Sequence, residues 1–368
     1  MYLINWLLLL PLLVNSSNQY NSNAPLQVRS ADMSALAIED CDMTCNKFKS
    51  SSTSTPQDAL VILAEAGFNT VRLRVWVNPT ADHNEGNLSY VVSLAKRAHA
   101  AGLSVWVDFH LSDWWADPGK QNKPSAWSTF DFNTLSLAVA NHVTGALRAI
   151  DAVCNVSIVQ VGNEITSGTL WPETGQDCSD SGAVYVDHCS SNWNALGILI
   201  SSGIKAARLT IPTALIAVHT DLGNRGVNAA RDSIDWYTTF ISALPPTIDF
   251  DIIALSYYMM WNASGPTGEE NLATSLRTQF PNKQVLMAET SYPWNIQGNN
   301  PPPGEYAATP EGQCQFWKDT ISSAANSNWL GVSWWGSEYA GQYGMVNSLF
   351  DENYVALPAL TNGWKSIT

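Results

Sequence analysis

The strongest constraint on the fold is a regular alternation of short apolar runs with amphipathic segments along almost the whole chain. Near-continuous apolar runs are typical of parallel strands that are buried on both faces of a sheet. Eight such runs have the length and composition of strands, and they lie at 26–32, 70–77, 103–110, 156–163, 214–221, 250–258, 283–290 and 330–336. This alternation is typical of an α/β protein with eight strands.

The segments between these runs carry helix signals. In the first, Thr55 and Pro56 have the types favoured at a helix start, and Gly67 has the type favoured at its end. Eight strand–helix units predict a (β/α)8 TIM barrel in a single domain. The alternative, an open doubly wound sheet, usually has a glycine-rich phosphate loop after its first strand, and 29–42 contains no glycine.

The N-terminal residues 1–23 have the pattern of a secretory signal peptide, although no Lys or Arg precedes their apolar run. That run is too short to span a bilayer, and the alternative is a short membrane anchor. We expect a secreted, extracellular protein without stable membrane association, whose catalytic barrel occupies residues 24–368. No linker or repeat divides that region.

Six cysteines fit an oxidising compartment. The shortest loops would be closed by Cys41–Cys45 and Cys178–Cys189, and we favour these two pairs among the possible disulfides. A glycoprotein is also expected, because glycosylation sequons begin at Asn15, Asn87, Asn155 and Asn262.

Composition limits the partners. Charged residues make up 14% of the chain and the formal net charge is −14, which argues against nucleic acid or an acidic polysaccharide as a ligand. Sixteen tryptophans exceed ordinary usage. A tryptophan-rich core is one explanation, and aromatic platforms for the C–H faces of sugars are the other.

Two carboxylates stand at the ends of strand-like runs. Glu164 follows the fourth run and Glu289 ends the seventh. Active sites of such barrels lie at the C-terminal ends of the strands, and the fourth and seventh strands face each other across the axis. Two facing carboxyl groups are the minimum for glycoside hydrolysis, and a separation of about 5–5.5 Å corresponds to a retaining reaction. Alone, either Glu could be a buried ion-pair partner.

Other polar and aromatic residues at the strand ends are candidates for substrate binding. Arg72 and Arg74 alternate with apolar residues, so we expect one of them inside the barrel, paired to a carboxylate. His110 has no second histidine at metal-ligand spacing, and we expect it to donate a hydrogen bond to a sugar or a carboxylate. The full candidate set is Arg74, Asp108, His110, Trp115, Asn163, Trp171, His219, Tyr257 and Trp335. Within it, Asp108 could instead be a buried structural acid, and the tryptophans could belong to a packed loop.

The segments "VDFHLSDWWADPGKQNKPSAW" (107–127), "VQVGNEITSGTLWP" (159–172) and "ETSYPW" (289–294) resemble the endo-β-1,4-galactanases of glycoside hydrolase family 53. The likeness runs in order over most of the chain. It implies membership of the large clan of retaining (β/α)8 glycosidases. It also implies β-1,4-galactan, the side chain of type I arabinogalactan and pectin, as the polysaccharide substrate.

The resemblance also assigns roles. Glu164 would be the acid/base, Glu289 the nucleophile, and Asn163 would hold the 2-hydroxyl of the sugar at the cleavage point. An arginine of the second strand and Tyr257 would hold the nucleophile. Trp335 or Trp334 would form the floor of the subsite at the cleaved bond.

The chain departs from the family at two places on the rim, "SYYMMWNASG" (256–265) and "SWWGSEY" (333–339). No Asp lies between Glu289 and Cys314, so we expect no calcium site there, and we expect no metal or other cofactor elsewhere. A monomer is expected. Two alternatives stay open: another endo-glycanase of the clan, such as a mannanase or β-glucanase, and a carbohydrate-binding barrel without activity.

Overall fold

Eight parallel strands form a closed barrel in the computed structural model, which describes residues 26–36, 47–80, 84–171, 184–185, 192–261, 264–296, 306–341 and 345–366. Each predicted apolar run contains one of them. The strands are β1 (Val28–Asp32), β2 (Thr70–Val75), β3 (Ser104–Phe109), β4 (Val156–Val161), β5 (Leu215–Thr220), β6 (Ile252–Ser256), β7 (Gln284–Thr290) and β8 (Gly331–Trp334).

Each strand is followed by a helix. The helices are α1 (Ala59–Glu65), α2 (Leu88–Ala100), α3 (Phe132–Asp151), α4 (Trp193–Thr210), α5 (Ala229–Ala243), α6 (Gly265–Gln279), α7 (Pro310–Asn326) and α8 (Pro358–Asn362). Around the barrel the strands follow chain order, and β8 closes the ring against β1. The prediction of a single-domain (β/α)8 barrel is confirmed.

Helix starts follow local capping chemistry. Thr309 caps α7 through its hydroxyl, which accepts from the Gly312 N–H at 3.1 Å, and Pro310 follows it in the first turn. At α1 the predicted cap Thr55 is wrong. The carboxylate of Asp58 accepts from the Leu60 N–H at 2.9 Å, so the helix begins three residues later than the Thr–Pro signal indicates.

Apolar side chains occupy two separate layers. A large core fills the space between the strands and the helices. A smaller cluster inside the lower barrel includes Trp106, Ile158 and Leu286. Above that cluster, toward the C-terminal ends of the strands, the inward positions become polar, and this change positions the functional site.

Several expectations fall outside the residues described. The signal segment 1–23 and all four cysteines of the two favoured disulfides lie there. Cys154 and Cys314 lie among the residues described, and both are buried free thiols. Across the described ranges, no helix is long and apolar enough to cross a bilayer. The described chain also has no cluster of three or more metal-ligating side chains.

Candidate active site

A cleft of about 720 Å³ opens at the C-terminal ends of the strands. Side chains from β1, β2, β3, β4, β6, β7 and β8, or from the loops that follow them, line it. Both Glu164 and Glu289 belong to this lining, and so do Arg74, His110, Trp115, Asn163 and Trp335 from the predicted set. The two carboxylates identified from sequence therefore face one cavity from opposite sides of the barrel.

Glu289 is held at both carboxylate oxygens. Its Oε1 accepts from Arg72 Nη1 at 2.8 Å, and its Oε2 accepts from the Tyr258 hydroxyl at 3.0 Å. Inward positions on β7 are those of Leu286 and Ala288, so strict alternation would direct Glu289 outward. The register between β6 and β7 shifts at this point, where Ser256 pairs with Glu289, and the irregularity turns the carboxylate inward.

Glu164 stands just beyond β4 in a left-handed backbone conformation, with φ 46° and ψ 48°. A non-glycine residue in this region is strained and persists where the surrounding structure requires it. Gly162, at φ 87°, makes the turn possible, because a Cβ there would lie 2.7 Å from Ile165 Cγ2. The Glu164 Oε1 atom accepts from the Ser256 hydroxyl at 2.6 Å.

The two carboxylates have different electrostatic surroundings. Burial, followed by the charge of Glu289, raises the pKa of Glu164 well above its ordinary value. Burial also raises the pKa of Glu289, to about 7, but Arg72 and the Tyr258 hydrogen bond oppose that rise. Glu289 is therefore the group of the pair that ionises first, and Glu164 is the one that keeps its proton.

Arg72 links the site to the layer below it. Besides Glu289, it forms ion pairs with Asp32 at 3.1 Å and with Asp108 at 2.8 Å. Burial opposes the charge of Arg72, but the three carboxylates outweigh burial and raise its pKa. The prediction that one arginine of this strand pairs with a carboxylate inside the barrel is met by Arg72.

Asp108 and His219 lie in this buried layer, beneath the cleft, and do not line it. Asp108 Oδ1 accepts from Gln160 Nε2 at 2.6 Å, and its Oδ2 contacts His110 Nε2 at 2.9 Å. Burial raises the pKa of Asp108. The charge of Arg72 and the contact with His110 lower it by more than burial raises it, so the net shift is downward. Of the two roles considered for Asp108, the structure gives it the structural one.

His110 lines the cleft with both ring nitrogens engaged. Its Nδ1 accepts from the Ala116 N–H at 2.9 Å, so the proton is on Nε2 and is donated to Asp108. Burial lowers the pKa of His110, which keeps the ring neutral. His110 was expected to donate a hydrogen bond to a sugar or to a carboxylate, and here it donates to the carboxylate of Asp108.

An indole–guanidinium stack forms one wall of the cleft. The Arg74 guanidinium lies 3.7 Å from the ring centroid of Trp115 and 4.6 Å from that of Trp76. Trp335 lies 6.1 Å from Trp115 by ring centroids and adds a second aromatic surface. Its neighbour Trp334 instead faces the helices, 5.0 Å from Trp317. Trp335 or Trp334 was expected to form the floor of the subsite at the cleaved bond, and Trp335 is the one that lines the cleft.

Two further residues of the predicted set, Tyr257 and Trp171, do not line the cleft, as Asp108 and His219 do not. The Tyr257 hydroxyl donates to the Gly265 carbonyl at 2.7 Å, and Tyr258 holds the nucleophile candidate in its place. Inward residues of β6 have even numbers, as Ala254 does, so Tyr257 faces the helices. Trp171 is buried and does not line the cleft; its Nε1 donates to the Ser167 carbonyl at 3.2 Å.

Sequence reasoning missed four residues of the site, namely Asp32, Ser256, Tyr258 and Trp261. Asp32, Tyr258 and Trp261 line the cleft, and Ser256 contacts Glu164 from below it. The signal for Tyr258 was present, because two tyrosines follow β6 and alternation admits only one of them. Asp32 ends β1 and could have been found by the strand-end rule that identified the others.

Comparison with known proteins agrees with this geometry. The family model "Glycosyl hydrolase family 53" matches residues 28–362. Arabinogalactan endo-beta-1,4-galactanase A of Emericella nidulans is 33% identical over 346 residues, 90% of each chain. Arabinogalactan endo-beta-1,4-galactanase of Thermothelomyces thermophilus is 32% identical over 358 residues, covering 91% of this chain and 98% of its own.

Among solved structures, the Ignisphaera aggregans GH53 catalytic domain superposes with a TM-score of 0.77 at 28% identity, covering 95% of this chain and 98% of that domain. The family model spans nearly all of the barrel, and both carboxylates fall within the matched residues. The protein is a glycoside hydrolase, and the chain belongs to glycosyl hydrolase family 53.

Proposed function

We propose that this protein is an endo-β-1,4-galactanase that cleaves internal bonds of type I arabinogalactan with retention of anomeric configuration. The observation that carries the proposal is the pair Glu164 and Glu289, which line one cleft with different partners. The names of the fungal relatives support galactan as the substrate.

In the first step Glu289 acts as the nucleophile. Its ionised carboxylate attacks the anomeric carbon, the C–O bond to the leaving sugar breaks, and the proton of Glu164 passes to the departing oxygen. Arg72 and Tyr258 hold one carboxylate oxygen each, so they fix the direction of attack and favour the ionised form. The product is a glycosyl ester on Glu289 and a shortened chain.

In the second step Glu164, now ionised, takes a proton from water. The water oxygen attacks the anomeric carbon, the ester bond to Glu289 breaks, and Glu164 is again protonated. Two inversions at the same carbon give overall retention. The raised pKa of Glu164 suits a group that must donate a proton in one step and accept it in the next.

The remaining residues of the cleft would bind the polymer. Trp115 and Trp335 offer aromatic faces for the C–H faces of galactose rings. Asn163 donates to the Ala116 carbonyl at 2.8 Å and accepts from Arg72 Nη2 at 2.8 Å, which fixes its amide plane. An amide nitrogen carries two N–H donors, so the second is available to the 2-hydroxyl of the sugar.

We also propose that the protein acts outside the cell as a monomer. The N-terminal apolar pattern supports secretion, and a wall polysaccharide is an extracellular substrate. The sparse, acidic charge gives no attraction to polygalacturonate, which agrees with a neutral polymer as the substrate.

The test measures release of reducing ends from purified galactan, mannan and β-glucan by the wild-type protein and by Glu289→Gln. We expect activity on galactan alone, with a fall in viscosity that precedes extensive release of reducing ends, as endo cleavage requires. Glu289→Gln should bind galactan but not cleave it, whereas Glu311→Gln, outside the cleft in the first turn of α7, should behave as wild type. Higher activity on mannan or β-glucan would contradict the substrate, and cleavage by Glu289→Gln would contradict the mechanism.

A further inference from the structure

We propose, on the basis of the function above, that Ser256 and His219 are positioning residues that keep the catalytic proton of Glu164 on its Oε2 atom. A protonated carboxyl group can carry its proton on either oxygen. Only a proton directed into the cleft can reach the leaving sugar, so a device that selects the oxygen contributes to catalysis.

Ser256 occupies the Glu164 Oε1 atom. Its hydroxyl lies 2.6 Å from that oxygen, and the side chain is buried on β6 without lining the cleft. Glu164 itself does line the cleft, so Oε1 is the oxygen directed into the barrel and Oε2 is the one left for the substrate. A serine hydroxyl has a single proton, and while that proton is donated to Oε1 the same oxygen cannot carry the acid proton in this bond.

His219 determines the direction of the Ser256 hydroxyl. Its Nε2 lies 3.0 Å from Ser256 Oγ. If Nε2 carries the imidazole proton, it donates to Ser256, and the serine must then direct its own proton to Glu164. If Nδ1 carries the proton, Nε2 becomes an acceptor, the serine turns toward it, and the proton of Glu164 is drawn to the buried Oε1.

The contacts at Nδ1 favour the first arrangement. Nδ1 lies 3.1 Å from Gln160 Nε2 and 3.4 Å from the Glu164 N–H, both of which are donors. Gln160 Nε2 has two protons, and its shortest contact gives one of them to Asp108 Oδ1 at 2.6 Å. If the second goes to Nδ1, Nδ1 accepts it directly. If it goes to Asn163 Oδ1, which lies 2.9 Å from Nδ1 and also accepts from Arg72 Nη2, both lone pairs of that oxygen are filled and Nδ1 is again left as an acceptor. Only donation to the Gly162 carbonyl, at 3.1 Å, would leave Asn163 Oδ1 open to a proton on Nδ1.

His219 stays neutral in either arrangement. Burial, followed by the charge of Arg72, lowers the pKa of its imidazole well below the ordinary value. It is therefore the position of one proton on the ring, and not the charge of the ring, that orients Ser256.

Other titratable groups around Glu164 would be unchanged by a substitution at Ser256. They are Glu289 on β7, Tyr258 just after β6, and Asp221 and Asp117 in the loops that follow β5 and β3. Each acts through its charge, and all of them raise the pKa of Glu164 when ionised. The Ser256 hydrogen bond lowers it.

The first experiment is the pH profile of kcat/KM on galactan for Ser256→Ala. Loss of a donor to the carboxylate raises the pKa of Glu164, so the alkaline limb should move upward by about one pH unit, and kcat/KM at the optimum should fall roughly tenfold. The fall should be smaller for an aryl β-galactobioside with a good leaving group, because that substrate needs little protonation. Ser256→Thr, which keeps the hydroxyl, should restore the limb.

The matched control is Ser333→Ala. Ser333 is a fully buried serine on β8 whose hydroxyl has no hydrogen-bond partner among the residues that the structure describes. Its pH profile should equal that of the wild type. An alkaline limb of Ser256→Ala that also stays in place, in a variant shown by thermal unfolding to be folded, would overturn the proposal.

The second experiment reads the tautomer in the wild-type protein. With ¹⁵N-labelled histidine, the signals absent from the spectrum of His219→Gln identify the His219 ring. We expect the proton on Nε2, and a proton on Nδ1 would overturn the proposal without any variant needing to fold in an active form. If the wild type fails to cleave galactan while the proton is found on Nε2, the proposed substrate fails and the positioning geometry stands.

Discussion

The Tyr258 hydroxyl lies 3.0 Å from Glu289 Oε2, the carboxylate oxygen that Arg72 leaves free. Burial and the charge of Glu289 raise the pKa of this tyrosine well above its ordinary value, so it remains a donor throughout the working range of pH. One neutral donor and one cation thus bind the carboxylate of Glu289, the proposed nucleophile, and both favour its ionised form.

Replacing Tyr258 by Phe should raise the pKa of Glu289, because the hydrogen bond that favours its carboxylate is lost. A carboxylate nucleophile works only when ionised, so the acid limb of the kcat/KM profile should move to higher pH, by about one pH unit for one hydrogen bond to a charged group. Initial rates on galactan measured across the acid range check this.

Tyr257→Phe is the matched control for that variant. Tyr257 is the adjacent tyrosine, and its hydroxyl donates to the Gly265 carbonyl away from the cleft. We expect a loss of about 1 kcal/mol in the free energy of unfolding and an unchanged acid limb. A shift of that limb in Tyr257→Phe, together with none in Tyr258→Phe, would mean that the two tyrosines have been given each other's roles.

Arg72→Met should destabilise the fold as well as abolish activity. The substitution leaves Asp32, Asp108 and Glu289 buried without their shared cation, and removal of one partner from a buried ion pair costs about 3–5 kcal/mol. Urea unfolding measures the change. Arg208→Met is the comparison, because its pair with Asp251 is about one-third exposed and such pairs contribute roughly 0–1 kcal/mol. Equal losses in the two variants would contradict the role of Arg72 as the centre of the buried layer.

The tryptophans at the end of β8 should separate binding from stability. Trp335→Ala removes an aromatic face of the cleft and should raise KM for galactan several-fold at nearly unchanged stability, since aromatic contacts contribute roughly 0.5–1.5 kcal/mol beyond their area. Trp334→Ala opens the core beside Trp317 and should cost about 3–5 kcal/mol of unfolding free energy. Steady-state kinetics and thermal unfolding of both variants measure these effects. A large loss of stability in Trp335→Ala together with a raised KM in Trp334→Ala would contradict the placement of Trp335 in the cleft and of Trp334 in the core.

Trp261 should affect long substrates more than short ones. It is 59% exposed at the rim of the cleft, and its ring centroid lies 4.9 Å from that of Tyr258. Trp261→Ala should lower kcat/KM for galactan polymer and leave it nearly unchanged for the shortest oligosaccharide that is cleaved. An equal loss on all chain lengths would place Trp261 at the cleaved bond and not at the rim.

Much of this arrangement could be predicted from the sequence. The eight apolar runs fix the barrel, because each contains one strand, and the strand-end rule then brings Glu164 and Glu289 to one face. Residue type and position on a strand are properties of the local sequence, and they suffice for this level of detail.

The sequence does not determine which of the last residues of each strand point into the barrel and which point toward the helices. By residue type, Tyr257 and Tyr258 are equal candidates for the hydrogen bond to Glu289. Only the inward position of Ala254 shows that Tyr258 is the one that points into the barrel. Glu289 breaks the alternation of β7 through a register shift that depends on its pairing with β6. Trp171 is covered by the segment that contains Gln121, whose carbonyl accepts from the Trp171 N–H, and such a contact between loops has no local signature.

The proposed mechanism requires Glu164 and Glu289 to act on the same glycosidic bond by two successive displacements. Proton NMR of a galacto-oligosaccharide, recorded in the first minutes after enzyme is added and before mutarotation, identifies the anomer of the new reducing end. We expect the β-anomer to form first and the α-anomer to follow by mutarotation. Initial release of the α-anomer would show single displacement and would contradict the assignment of Glu289 as a nucleophile.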